Sequence, residues 1–521
     1  MTKNIINKKN IYYLLLILNS FAFVFYSGGR GAFPIDSFFH YDAGFHILNG
    51  NHPFKDYWLI SGPLLDYMQS FVFYIFGVKW FSYVIHAAIL NSFISIICFY
   101  FFIKIGLDEI FSFIYSLGVS ILAYTSISIP FVDHHAAIFC FASVCFFILA
   151  IIYNKYVYWA CSSLLLILSF FSKQIPSSYM ALAAILILAT YLYIFSKREN
   201  LIKSMLFYFL GGFIPITIIL IFFLLNEISL KNFAIQYLLY PMTIGENRVS
   251  NMDFNFNNII NQFKFLYLSL IPLLVIMFCL FKKKKKNIIV QKDIFVLGII
   301  ILSSLVFIYS QLMTKNQILI FFLIPFFLGI SHCYIKKYKY KNYFLHIILL
   351  ILIVATTKYH VRYNVERKFM ELQNVDLNLS KNAKQIDLSL NGLNWITPRY
   401  PTNPQKEINL LIEVKNILNK DNKNKIIITD YQFLASVTND IEVSPNKFYD
   451  IFSVPNRDNK YFVNYKNFFL KQIKKRNIEN IYVIGKNEKK YVFDMIKEKS
   501  CIKSTIINEI STLVNLTKCK I

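Results

Sequence analysis

Eleven apolar runs, most of them long enough to cross a lipid hydrocarbon core as a helix, occupy most of the first 358 residues, and that pattern leaves few folds open. They fall at approximately 11–26, 81–103, 110–130, 136–153, 156–172, 175–195, 204–225, 265–281, 293–310, 317–335 and 343–358. A helix satisfies its backbone polar groups internally, so such runs predict an α-helical polytopic membrane protein with about eleven transmembrane helices. Composition agrees: 56% hydrophobic and 18% aromatic residues over 521 positions exceed what one soluble core absorbs. The formal charge of +25 would suit nucleic acid, but the basic residues punctuate apolar segments and form no nucleic-acid-binding motif. Nucleic acid is therefore excluded as a partner, and the lipid bilayer takes its place.

Charge between the runs sets the expected orientation. Lys3, Lys8 and Lys9 precede the first run, and no small-x-small cleavage site follows it, so it is read as a retained span with a cytoplasmic N-terminus. Lys197, Arg198 and Lys203, then Lys282 to Lys286, then Lys336, Lys337, Lys339 and Lys341, all fall on the inside under this assignment. An odd number of spans sends the tail, 359–521, to the same outer side as the first loop. In that tail Lys425–Thr429 and Asn480–Gly485 read as short buried strands, and Gln405–Asn419 and Lys466–Arg476 have helical periodicity. The expected division is a transmembrane catalytic domain over 1–358, with its first loop at 27–80, and an extracytoplasmic α/β domain over 359–521. Six cysteines lie in or beside apolar runs as inert small hydrophobes, whereas Cys501 and Cys519 sit in the tail, where an extracytoplasmic location would permit a disulfide. No internal repeat, Rossmann or P-loop glycine pattern, or zinc spacing occurs.

Polar residues concentrate in the outward loops. The first loop holds Asp36, His40, Asp42, His46 and Asp56; taken singly, each reads as a solvated loop residue. The second carries Asp133, His134 and His135, where adjacent histidines on an extended turn would point apart and need a third ligand from elsewhere to share an ion. Divalent metal is thus conceivable but not indicated, and no metal ligand is assigned. The third turn carries Lys173 and Gln174 on the outer face, against the positive-inside bias; a lysine there either snorkels to headgroups or serves a site. In the fourth loop Tyr237, Tyr240 and Arg248 would suit a sugar and phosphate, but read first as interfacial anchors. Asp430, Trp395 and Arg399 in the tail read as structural turns or core anchors.

The first loop has a further pattern. Asp36 precedes Gly50 by fourteen residues, PFKDY follows at 53–57, GPLLDY at 62–67 and FGVKW at 76–80. This order resembles the first extracytoplasmic loop of the GT-C type glycosyltransferases, the protein O-mannosyltransferase and aminoarabinose transferase-like (family 39-like) enzymes of bacteria. The likeness covers the first loop well and the other spans only by layout. Ser37 stands where that pattern often has Glu, and one Pro precedes Leu64, which leaves acceptor class and metal use open.

The resemblance implies a multi-pass enzyme of the bacterial cytoplasmic membrane that moves a sugar from a polyprenyl-phosphate carrier to an envelope glycan, lipid or protein, with no nucleotide cofactor. It places Asp36 as base or electrostatic anchor and Asp133 as its helper. Lys173 then offsets the donor phosphate, Gln174 hydrogen-bonds sugar or phosphate, and His40, Asp42 and Asp56 shape the pocket. It also gives the C-terminal domain a part in acceptor recognition. An O-antigen polymerase or ligase is the nearest rival, but such enzymes usually rely on outward arginines, whereas these loops are acidic and histidine-bearing. A lipid-linked glycan transporter or flippase would need ionisable groups at the membrane midplane, where these spans hold few.

Overall fold

The computed structural model of the chain describes residues 8–195, 198–250, 256–282, 287–314, 319–438, 441–485, 489–496 and 501–519. Lys3, Lys197 and Lys283 to Lys286 of the basic clusters lie outside the described residues.

Every predicted apolar run forms a helix. They are α1 (Lys8–Gly28), then, after three loop helices α2 (Pro34–Ser37), α3 (Phe39–Leu48) and α4 (Pro63–Phe76), α5 (Trp80–Ile105) and α6 (Glu109–Leu122). The series continues with α7 (Val132–Tyr153), α8 (Tyr156–Ser172), α9 (Gln174–Phe195) and α10 (Arg198–Leu225). Two short helices, α11 (Leu230–Phe233) and α12 (Tyr240–Ser250), precede α13 (Lys264–Lys282), α14 (Ile288–Thr314), α15 (Leu323–Lys337) and α16 (Tyr343–Tyr359). Among the described residues nine helical segments are long and apolar enough to cross a membrane. The two predicted spans outside that set are α8, at 17 residues, and α15, at 15, whose predicted start at 317 falls partly outside the described residues. Of the nine, α7 is the most buried, while α10 and α16 turn most of their apolar surface outward.

The two ends of the bundle differ in chemistry. At one end Lys9 pairs with Glu109 at 3.7 Å, Lys336 with Asp108, and Lys337 with Asp293 at 2.6 Å. These contacts gather the segments that charge assigns to one side. The polar loops 27–62, 123–135 and 226–250 meet at the other end, with the C-terminal region packed over them.

The C-terminal region carries a two-stranded ladder, β1 (Lys381–Asn382) with β2 (Asn394–Trp395), then α17 (Pro404–Lys420), β3 (Lys425–Thr429), α18 (Leu434–Val437), β4 (Ile441–Glu442), α19 (Phe462–Lys475), β5 (Asn480–Ile484), α20 (Lys489–Phe493), β6 (Lys503–Asn508) and β7 (Ser511–Asn515). The main sheet has the order β4-β3-β5-β7-β6, parallel among β3, β4 and β5 and antiparallel for β5–β7 and β6–β7. Both predicted strands, β3 and β5, are buried on both faces, as continuous apolar runs in a parallel pair require. Cys501 and Cys519 form a disulfide. Trp395 is buried with its indole N–H donating to Glu407 at 2.8 Å, and Asp430 pairs with Arg399, so these three serve the core of this region.

Candidate active site

A cavity of about 970 Å³ opens where the polar loops meet, and Asp36, His40, Asp133, Lys173 and Gln174 all line it. Five of the seven residues singled out in the sequence therefore converge.

Asp36 sits in α2, a single turn with Pro34 at its first position, where a fixed φ favours helix initiation. The turn is pinned by the Phe33 N–H donating to the Ser37 hydroxyl at 3.0 Å. No side-chain hydrogen bond or ion pair to Asp36 occurs among the described residues, so its carboxyl faces the cavity uncompensated. Burial, and then the nearby carboxylates Asp450 and Asp133, push its pKa up to about 7. A carboxyl there is part base and part acid at neutral pH.

Asp133 and Lys173 form one unit. Lys173 Nζ donates to both Asp133 oxygens, at 2.6 and 2.7 Å, with both side chains mostly buried. The extended Lys173 backbone between α8 and α9 aims the ammonium at the first turn of α7. Burial holds the Lys173 ammonium below the usual lysine range, against the pull of Asp133. Lys173, expected to offset the donor phosphate, thus lines the cavity already paired with Asp133. Gln174 is also partly spent: its amide donates to the carbonyls of Ile60 at 2.8 Å and Tyr237 at 2.6 Å, leaving its side-chain oxygen for a ligand.

His40 is held by a residue outside the predicted set. Its Nδ1 lies 2.7 Å from Asp66, which is fully buried and also accepts from the Tyr57 hydroxyl at 3.2 Å. Gly62 makes this possible: at φ +82° a side chain is disfavoured, and a Cβ there would fall 2.9 Å from His40 Cε1 and 2.6 Å from Val132. Gly50, at φ +82°, closes α3 in the same left-handed region. The glycines and Asp66 belong to the elements that carried the first-loop resemblance.

Asp42 and Asp56 do not reach the cavity, contrary to expectation. Asp42 is buried in an ion pair with Lys447 and lies 3.4 Å from His46; burial alone would raise its pKa, but Lys447 and His46 outweigh that and hold it low. It borders a separate void of about 20 Å³. Asp56 caps its own turn, accepting from the His52 N–H at 3.0 Å, and pairs with Lys475 at 3.3 Å and Arg476 at 3.7 Å. Both anchor the first loop to the C-terminal region.

His134 and His135 occupy the first turn of α7 rather than an extended turn, and Asp133 shares it. His134 stacks on Tyr124, ring centroids 4.8 Å apart. His135 joins a buried hydrogen-bonded chain. The Phe131 N–H donates to the Tyr124 hydroxyl at 2.8 Å, and that hydroxyl lies 2.5 Å from His135 Nδ1. His135 Nε2 lies 3.0 Å from His86 Nε2, and His86 Nδ1 lies 2.9 Å from Gln69 Oε1. Among the described residues no group of three or more His, Cys, Asp or Glu is placed to hold a metal ion.

Three further ionisable residues line the cavity, Glu246, Arg248 and Asp450. Arg248, on α12, stands over the Phe452 ring at 4.7 Å and forms no ion pair among the described residues. Asp450 accepts from the backbone N–H groups of Phe452 and Ser453, at 3.0 and 2.5 Å; burial raises its pKa and those bonds offset part of the rise. Arg248 suits a phosphate by residue type but reads in the sequence first as an interfacial anchor; nothing near Asp450 in sequence signals its place. Tyr237 and Tyr240, read as interfacial anchors, are buried, with hydroxyls donating to the carbonyls of Phe170 and Phe452. Most of the remaining wall is apolar, including Phe131, Ile175, Tyr179, Met242 and Met313, with Ser61, Ser178 and Asn446 among its polar members.

No protein-family model matches the chain, and no curated protein sequence matches it. Among solved structures the chain is similar to the Archaeoglobus fulgidus oligosaccharyltransferase in its apo form, with 12% identity, 91% of this chain and 69% of that one covered, and a TM-score of 0.46. The same enzyme tethered to an acceptor peptide through a disulfide aligns with the same identity and coverage and a TM-score of 0.41.

Proposed function

We propose that the protein is an integral membrane glycosyltransferase that moves a sugar from a polyprenyl-phosphate carrier to a cell-envelope acceptor at the outer face of the bacterial cytoplasmic membrane. The observation that carries this reading is the convergence on one cavity of a carboxyl, Asp36, and a guanidinium, Arg248, neither of which forms an ion pair among the described residues, beside a mostly apolar wall. The first-loop pattern around Asp36 supports it independently. The disulfide between Cys501 and Cys519 suits an oxidising, extracytoplasmic tail.

In the proposed step the acceptor hydroxyl attacks the anomeric carbon while Asp36 takes its proton. The new acceptor oxygen–carbon bond forms as the carbon–oxygen bond to the phosphate breaks, and the electron pair leaves with the lipid phosphate. Arg248 stabilises the charge that develops there, because a guanidinium matches phosphate geometry. The Asp133–Lys173 pair presents a fixed dipole to the same space, and the apolar wall accommodates the isoprenoid chain. His40, fixed by Asp66, offers a hydrogen bond to the sugar.

The test is transfer from a radiolabelled polyprenyl-phosphate sugar with the purified protein in nanodiscs. Asp36→Asn abolishes transfer, and Arg248→Ala raises the donor KM about tenfold or more, as expected for a lost charge-assisted hydrogen bond. Near-normal transfer by Asp36→Asn would sink the assignment.

A further inference from the structure

A second cleft, of about 240 Å³, lies behind Trp58 at the seam of three segments that are distant in sequence. The first loop supplies Lys55 and Trp58, the fourth loop Lys231, Asn232 and Gln236, and α19 one helical face, Asn464, Asn467, Phe468, Lys471 and Gln472. Those five positions follow the i, i+3, i+4, i+7, i+8 spacing of a single stripe. Trp58 is a wall of both this cleft and the reaction cavity, so an occupant of one borders the other.

The lining has a definite chemistry. It contains three lysines and no carboxylate. Lys55 is engaged, 3.0 Å from the Asn226 carbonyl and 3.3 Å from Glu227, but Lys231 and Lys471 are exposed and form no ion pair among the described residues. Five of its residues carry side-chain amides, which both donate and accept as sugar hydroxyls do. Three buried residues of the lining each keep a polar atom without a hydrogen-bond partner among the described residues: Trp58 Nε1, Gln236 Nε2 and Gln472 Oε1. Their identities are fixed, since Gln236 Oε1 accepts from the Leu59 N–H at 3.0 Å and Gln472 Nε2 donates to the Lys55 carbonyl at 2.8 Å. Two donors and one acceptor thus stand unsatisfied in the wall just behind the accessible surface of the cleft.

We propose that this cleft binds an anionic sugar, carrying a carboxylate or phosphate, in the acceptor glycan, and that Trp58 separates it from the reacting hydroxyl. This rests on the glycosyltransferase reading above and assigns the acceptor class within it. The lysines select the charge, and the amides select a sugar over a bare anion.

Titrations of the full-length protein in nanodiscs test it, with glucose 6-phosphate, glucuronic acid, glucose, inorganic phosphate and an acidic tripeptide as probes. Both anionic sugars bind about tenfold or more tighter than glucose, and Lys231→Ala/Lys471→Ala removes that advantage without changing glucose affinity. Both lysines are exposed, so a melting temperature near that of the wild type shows the variant folded. Equal binding of glucose and the anionic sugars, or no change in the double variant, overturns the proposal. Inorganic phosphate or the tripeptide binding as tightly as glucose 6-phosphate also overturns it, in favour of a bare anion site or a peptide acceptor. Asp36→Asn keeps the probe affinities. Should the wild-type protein transfer no sugar from the polyprenyl-phosphate donor while the cleft still prefers the anionic sugars, the transferase reading fails and the cleft stands; transfer without that preference fails the cleft alone.

Discussion

Asp36 should cost the protein stability, and replacing it should return that stability. In the folded protein its carboxyl titrates at about 7, against 3.8 for an ordinary Asp. The folded state therefore holds a proton more tightly than the unfolded chain, which makes the charged carboxylate destabilising. The penalty is fully present above the folded pKa and fades as pH falls toward the unfolded value. At about 1.36 kcal/mol per pKa unit, the shift amounts to at most about 4 kcal/mol at pH 8 and less than about 2 kcal/mol at pH 5. Asp36→Asn cannot ionise and escapes this penalty. In nanodiscs its apparent melting temperature should exceed that of the wild type by several degrees at pH 8, with the gap shrinking markedly at pH 5. A variant that is no more stable at pH 8, or whose gap is the same at both pH values, would refute the electrostatic argument. Gain in stability with loss of transfer would mark Asp36 as a group kept in place against its own solvation.

Four other outcomes follow from the same geometry. Transfer should rise with pH through an inflection at about 7, as Asp36 loses its proton, and fall about fivefold from pH 7 to pH 6 in a kcat/KM profile. Lys173→Ala strands the buried Asp133 carboxylate and should cost about 3–5 kcal/mol, most of which Lys173→Ala/Asp133→Ala restores, as read by a thermal-melting double-mutant cycle. Asp66→Asn removes the carboxylate that orients His40 and should lower kcat/KM about tenfold, with the acid inflection of Asp36 still near pH 7. Alkylation before and after reduction, followed by mass measurement, should find Cys501 and Cys519 blocked only after reduction, and Cys501→Ser should destabilise the C-terminal region by about 3 kcal/mol, given a separation of 18 residues.

The parts legible in the sequence are those decided locally. Each apolar run forms its helix because length and hydrophobicity suffice, although α8 and α15 are shorter than a full span. Asp36 stands out by the first-loop pattern around it, and the orientation set by charge then places Asp133 and Lys173 at the same end of the bundle. What sequence missed depends on partners far along the chain. Asp42 and Asp56 resemble Asp36 in residue type and neighbourhood, yet Lys447, Lys475 and Arg476 turn them into anchors. Asp66 lies within a recognisable element, but its worth appears only with His40 packed against it. The histidines at 134 and 135 were misplaced because α7 begins at Val132, four residues before its predicted start. Asp450 reaches the cavity by way of a fold in the tail that has no local signature.

The Asp42–Lys447 bond has a consequence for how the protein is made. Its two ends are 405 residues apart, so the carboxylate reaches the membrane surface long before its partner exists. At about 5–20 residues per second, a ribosome needs on the order of 20–80 s to supply that lysine. Through that interval the nascent loop holds a carboxylate bound for burial with no partner to bury it against. The reaction chamber is therefore among the last parts to close during biogenesis, and a chain stopped before residue 447 should insert its helices yet leave the first loop open to proteases.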